Sequence, residues 1–140
     1  MKPRLPLFDD VAPLLREMDM VRIYANNGPI ASKFQEKVGE YLGVPDNRIV
    51  LLSNATLALQ GAIELSLTSD WIVPDFTFAA TGHAVLQAGK RLHLLDVDVL
   101  DWTLDHNLVS KYLEKVFCGI VPVTPFGSTL NFAPWPAYEE

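Results

Sequence analysis

Cysteine is nearly absent from this chain. Cys118 stands alone among 140 residues, which excludes an intrachain disulfide and a cysteine-built metal cluster. It lies in the apolar run Val116-Phe117-Cys118-Gly119-Ile120-Val121, where a thiol behaves as a small hydrophobe and is expected to be inert core. Positive charge is also scarce. Eleven Lys and Arg against 17 Asp and Glu leave a net charge of −6. With no basic run to offset it, the composition argues against nucleic-acid binding. No apolar stretch reaches the ~20 residues of a membrane span, and Met1-Lys2-Pro3-Arg4-Leu5-Pro6 lacks the apolar centre of a signal peptide. His83, His93 and His106 show no ligand spacing, so no metal site is expected. Gly28 and Gly43 do not follow a strand pattern, which rules out a dinucleotide fingerprint. A cytoplasmic protein without membrane or nucleic-acid partners is the expectation.

What is present is an apolar, patterned chain. Hydrophobic residues make up 49% of it, enough for one globular domain over 1–140 with a real core. After a proline-containing lead-in from Pro3 to Pro13, a short helix is expected within Val11 to Met20. Asn26-Asn27-Gly28-Pro29 marks a turn. Phe34, Val38, Tyr41 and Leu42 recur at helical spacing, so Ile30 to Leu42 reads as an amphipathic helix capped by Gly43.

Beyond it, short apolar runs alternate with helical ones. Ile49–Leu52, Trp71–Pro74, Leu92–Val97 and Gly119–Val123 read as four buried strands. Thr56–Leu67, Phe78–Ala88 and Asn107–Phe117 read as the helices between them. A β-α-β-α-β-α-β order implies an α/β fold with parallel strands and right-handed crossovers.

Two strand-to-helix junctions carry the chemistry. Ser53-Asn54-Ala55-Thr56 closes one apolar run and opens a helix. A helix N-terminus presents unpaired N–H groups and partial positive charge, so it holds phosphate without lysine. Ala55 is small enough to let a phosphate reach the backbone, and Thr56 adds a hydroxyl. The same residue types also serve as plain helix caps. At the next junction, Thr77-Phe78 follows Trp71-Ile72-Val73-Pro74. An aromatic ring at the carboxyl edge of a parallel sheet is placed to stack on a cofactor ring, or to serve as an ordinary core phenylalanine. Asp96 and Asp98 read as turn caps rather than a catalytic carboxylate pair.

These segments resemble one known family in their order. Asn27-Gly28-Pro29, Phe34, Tyr41-Leu42-Gly43-Val44, Ser53-Asn54-Ala55-Thr56-Leu57-Ala58-Leu59, Asp70-Trp71-Ile72-Val73-Pro74, Thr77-Phe78-Ala79-Ala80-Thr81, Gly89, Asp96-Val97-Asp98, Ile120-Val121-Pro122-Val123 and Gly127 look like the DegT/DnrJ/EryC1/StrS family of pyridoxal-phosphate-dependent sugar aminotransferases. The resemblance covers roughly residues 24 to 128 and implies part of an aspartate-aminotransferase-like (fold type I) large domain. It implies that Ala55 and Thr56 bind the phosphate of pyridoxal 5'-phosphate, that Phe78 stacks on its ring, and that Asn27 lies near the sugar nucleotide. It further implies a nucleotide-linked ketosugar as substrate, an amino-acid donor, and a homo-oligomer. The sequence departs from the family at Asn54, where glycine or serine is common, at Gln35, where glutamate is usual, and at Thr124, where histidine is common.

Family members run to more than twice this length, and the chain is expected to stop before the aspartate that pairs with the pyridine nitrogen and the lysine that anchors the cofactor. None of Lys2, Lys33, Lys37, Lys90, Lys111 and Lys115 sits in a matching motif. No catalytic residue is assigned, and transamination by this chain alone is not expected. Two other readings stand beside this one: a non-catalytic binding or assembly module that keeps the fold, and a Rossmann-like nucleotide binder.

Overall fold

A computed structural model describes residues 4–25 and 27–129. They divide into two compact units, one up to Leu51 and one from Leu52 onward.

The first unit is helical. Helix α1, Phe8–Val21, starts three residues earlier than its apolar pattern. The cause lies at its first turn, where the Leu7 N–H donates to Asp10 Oδ2 at 2.9 Å. That carboxylate also faces the positive end of the helix dipole. Pro13 is therefore inside the helix rather than before it, where its ring costs one backbone hydrogen bond but keeps a helical φ. Helix α2, Pro29–Leu42, opens on proline, whose missing N–H is an orphan at that position anyway. It closes on Gly43 at φ 67°, with the Val44 N–H returning to the Gly39 carbonyl at 3.1 Å. Lys33 Nζ reaches Glu17 Oε2 at 2.5 Å and links α2 to α1.

After a short 3-10 turn at Asp46–Arg48, the run Ile49–Leu52 is extended but belongs to no strand. The expected first strand is thus absent. A strand is defined by its ladder, and no neighbouring backbone pairs with this run among the described residues. Val50 and Leu52 are exposed as a result.

The second unit holds the sheet. Helix α3 is Ala55–Leu65, strand β1 Asp70–Pro74, helix α4 Ala79–Gln87, strand β2 Arg91–Leu95, helix α5 His106–Leu113 and strand β3 Gly119–Ile120. The strands align in parallel in the order β2-β1-β3. Three of the four expected strands are therefore present, with the expected direction. Strand β3 is shorter than its apolar run, although the Val121 N–H still donates to the Ile72 carbonyl at 2.9 Å. Helix α5 ends at Leu113 rather than Phe117, and begins where the Asp105 carboxylate accepts the Asn107 and Leu108 N–H groups.

Alternation along β1 divides the core in two. Val73 and Trp71 face α3 and α4, where Ile63, Ala84, Val85 and Val121 complete one apolar cluster. Ile72 faces α5 and is covered by Leu104, Val109 and Cys118. Cys118 is a free thiol buried in this second cluster, and burial first, then the charge of Asp70, pushes its pKa up. With a helix layer on both faces, β1 is almost wholly buried, as parallel strands are. Among the described residues no helix is long and apolar enough to cross a membrane.

Candidate cofactor site

The first turn of α3 is built by Asn54. Its backbone is extended, and its side-chain oxygen accepts the Leu57 N–H at 2.9 Å. Its carbonyl takes the Ala58 N–H at 3.2 Å. The Ala58 bond is the first of the helix ladder, so the Asn54 side chain satisfies one of the orphan donors, the Leu57 N–H. The N–H groups of Ala55 and Thr56 take no acceptor among the described residues, and neither does the Thr56 hydroxyl. Ala55 is exposed and Thr56 half-buried. The result is a short convergent set of donors at a positive helix end, open to an anion. The cap uses Asn54 and leaves the Ala55 and Thr56 N–H groups open, so capping does not consume the donors that an anion would need.

Phe78 lies four residues past the end of β1, at the N-cap of α4. It is not core: its side chain is 82% exposed. Beneath it, the hydroxyls of Thr77 and Thr81 are hydrogen-bonded at 2.9 Å, which ties the loop after β1 to the first turn of α4. A cavity of about 400 Å³ opens beside this turn, lined by Asp75, Thr77, Ala79, His83 and Leu94 among others. Helices α3 and α4 pack on each other, so the structure sets the Ala55–Thr56 turn and Phe78 on neighbouring helices of one unit.

Asn27 stands in the other unit. It adopts φ 61°, a left-handed conformation that asparagine tolerates better than most residues. With Ala31, Ser32, Gln35 and Val50 it lines a cavity of about 370 Å³. Gln35 donates to the Asp46 carbonyl at 2.8 Å and Ser32 to the Gly28 carbonyl at 3.3 Å. Asn26, the other asparagine of this turn, lies outside the described residues.

Asp96 and Asp98 are turn formers: Asp96 Oδ1 accepts the Val97 N–H at 2.8 Å, and Asp98 Oδ1 the Leu100 N–H at 2.7 Å. One constellation went unseen in the sequence. Asp70, Arg91, His93 and Tyr112 form a continuous hydrogen-bonded chain that runs from the amino ends of β1 and β2 through mid-β2 to α5. Parallel register assembles it, pairing Asp70 with Arg91 and Ile72 with His93. A carboxylate opening one expected strand and an arginine opening the next was the one available signal.

A parallel sheet between helix layers, with unclaimed N–H groups at one helix start and an exposed aromatic at the next, matches part of the large domain of a fold-type-I, aspartate-aminotransferase-like protein. The model of the DegT/DnrJ/EryC1/StrS aminotransferase family matches residues 10–140, and the chain belongs to that family. It is 31% identical over 123 residues to a dTDP-4-amino-4,6-dideoxy-D-glucose transaminase of Escherichia coli, an alignment covering 87% of this chain and 33% of the relative. Among solved structures, it is similar to a Bacillus cereus protein assigned to the PLP-dependent aminotransferases, with a TM-score of 0.80, 28% identity, and coverage of 94% of this chain and 38% of that one. The sugar aminotransferase CalS13 of Micromonospora echinospora shares the fold, with a TM-score of 0.74 at 22% identity over 96% of this chain and 37% of its own. The chain thus spans about a third of the length of the curated relatives it matches.

Proposed function

We propose that this chain is the N-terminal portion of a pyridoxal-phosphate-dependent aminotransferase that acts on a nucleotide-linked ketosugar with an amino-acid donor. The observation that carries the proposal is the first turn of α3, whose Ala55 and Thr56 N–H groups and Thr56 hydroxyl are unclaimed and fit a phosphate. The relatives support the substrate class, since those of Escherichia coli and Saccharopolyspora spinosa act on dTDP-linked sugars by name.

In this reading Ala55 and Thr56 hold the phosphate of the cofactor. Ala55 has no side chain beyond Cβ to obstruct it, and the helix dipole offsets part of its charge. The exposed ring of Phe78 covers one face of the pyridine ring, fixing its plane and excluding water from that side. Bound there, the cofactor supplies an electron sink for the carbon that gains or loses the amino group. Asn27 uses its side-chain amide toward the sugar nucleotide. The intact protein is cytoplasmic and a homo-oligomer; exposed Leu65, Leu67 and Phe117 supply apolar surface for the remaining chain or a second copy.

The test is cofactor titration of the natural full-length protein, followed by absorbance, beside Thr56→Val and Phe78→Ala. Binding that weakens in both variants, with amino transfer from glutamate to a nucleotide-linked ketosugar, supports the proposal. A protein that binds a dinucleotide or no ring phosphate at all overturns it.

A further inference from the structure

At the edge of the sheet opposite Phe78, Asp70 is the first residue of β1 and Arg91 the first of β2. The Arg91 side chain grips the buried Asp70 carboxylate with two hydrogen bonds, Nε to Oδ1 at 2.7 Å and Nη2 to Oδ2 at 2.5 Å. The Asp70 carboxyl is held well below its ordinary range, by Arg91 first and His93 second. An ionised carboxylate only accepts hydrogen bonds. Its contact with His93 Nε2, at 2.7 Å, therefore requires that nitrogen to carry a proton. In the neutral ring the other nitrogen, Nδ1, is then an acceptor, and it lies 2.6 Å from the Tyr112 hydroxyl. The two rings are 5.3 Å apart.

This is the arrangement of an activated nucleophile: a hydroxyl on a basic nitrogen, with the base fixed in one tautomer by a third group. It starts at the amino ends of β1 and β2 and reaches α5 through mid-strand His93, and the proposed cofactor site, at the carboxyl edge where ligands of parallel sheets bind, uses none of it. Cys118, the neighbouring buried thiol, has its pKa pushed up and offers no competing nucleophile. The His93 side chain is 28% exposed, and Tyr112, packed on the second core cluster, keeps part of its surface in solvent.

We propose that Tyr112 is a covalent modification site that takes the acyl group of an activated ester. The Tyr112 oxygen attacks the ester carbonyl carbon and forms the new C–O bond, and its proton passes to His93 Nδ1. The bond to the leaving phenoxide breaks, and the phenoxide departs with the electron pair. Asp70 holds the resulting imidazolium until its proton is lost to water.

The experiment treats the full chain with p-nitrophenyl acetate and maps acetylated tyrosines by mass spectrometry over time. Tyr41, 89% exposed, is the reference within the same molecule, which removes any dependence on variant folding. The expected result is acetylation of Tyr112 at least about tenfold faster than of Tyr41, as general-base assistance provides. The preference disappears in His93→Phe and survives in Lys111→Gln, a variant of the adjacent residue on α5. Labelling of Tyr112 no faster than Tyr41 overturns the proposal and leaves the chain of hydrogen bonds as a structural tie between α5 and the sheet. Acetyl on His93 alone, or an unchanged Tyr112 preference in a folded His93→Phe protein, also overturns it.

Discussion

Trp71 and Gly119 are direct partners across the β1–β3 pair, and they stand so close that a Cβ on Gly119 would lie 2.7 Å from three carbons of the indole. The indole N–H is anchored to the Thr68 carbonyl at 3.3 Å, so the ring has little freedom to retreat. Gly119→Ala is therefore overpacking in a buried sheet and is expected to cost about 1–3 kcal/mol. Urea unfolding followed by tryptophan fluorescence measures it. The double variant with Trp71→Ala is expected to lose less than the sum of the two single losses, because one clash is shared. Strict additivity would mean that the ring and the glycine do not meet.

The helices and the parallel order of the sheet were legible because each rests on local pattern. Phe34, Val38 and Leu42 mark α2, Gly43 and Gly89 end their helices in left-handed conformation, and Trp71-Ile72-Val73-Pro74 has the composition of a strand buried on both faces. Ile49–Leu52 has that composition too and is no strand, since pairing depends on a neighbour that composition does not reveal. The open first turn of α3 was legible for the same local reason: three or four consecutive residues make it. The Asp70–Arg91–His93–Tyr112 chain was not. Its partners are 19 to 23 residues apart and meet only after β1, β2 and α5 are in place. The exposure of Phe78 was open as well, because an aromatic after a buried strand reads equally as core.

Asn54 separates two roles that the sequence left superimposed. Its side chain caps α3 through the Leu57 N–H, while the donors proposed for phosphate belong to Ala55 and Thr56. Asn54→Ala is expected to lower stability by about 1 kcal/mol and to leave cofactor affinity within a few-fold, since it frees a donor rather than removing one. Thr56→Val, nearly isosteric, is expected to keep stability and weaken cofactor binding by about tenfold, the value of a hydrogen bond to a charged group. Thermal melts and cofactor titration of the full-length protein separate the two. A cofactor loss in Asn54→Ala larger than in Thr56→Val would reverse the assignment.

Ile72 and Val73 test the two core clusters independently. Both side chains are fully buried and point to opposite faces of β1. Ile72→Ala is expected to cost about 2–5 kcal/mol, with Val73→Ala losing less for its smaller side chain. Hydrogen exchange then localises each defect: Ile72→Ala loosens α5, and Val73→Ala loosens α3 and α4. Identical exchange profiles would mean that the sheet does not divide the core.

Acid is expected to act on the second unit through Asp70. Its pKa is lowered from 3.8 in the folded chain by Arg91 and then His93, whereas the unfolded chain leaves it at the ordinary value. The unfolded state thus binds more protons in acid. The contribution of Asp70 to stability is complete above about pH 4 and declines as the pH falls toward the lowered value. Asp101 adds a smaller effect of the same sign, its pKa lowered by the Thr103 backbone N–H and then the Thr103 hydroxyl. Asp70→Asn removes the titrating carboxyl and the partner of Arg91 together. The variant is expected to be less stable at pH 7 but to lose stability less steeply between about pH 4 and pH 2. Urea midpoints across that range measure the slope. Since the Arg91 side chain is 72% exposed, added salt screens the pair and should narrow the gap between the two proteins at pH 7. Parallel acid limbs for the two would show that Asp70 titrates alike in the folded and unfolded chain, and that the hydrogen bonds from Arg91 and His93 do not hold it ionised.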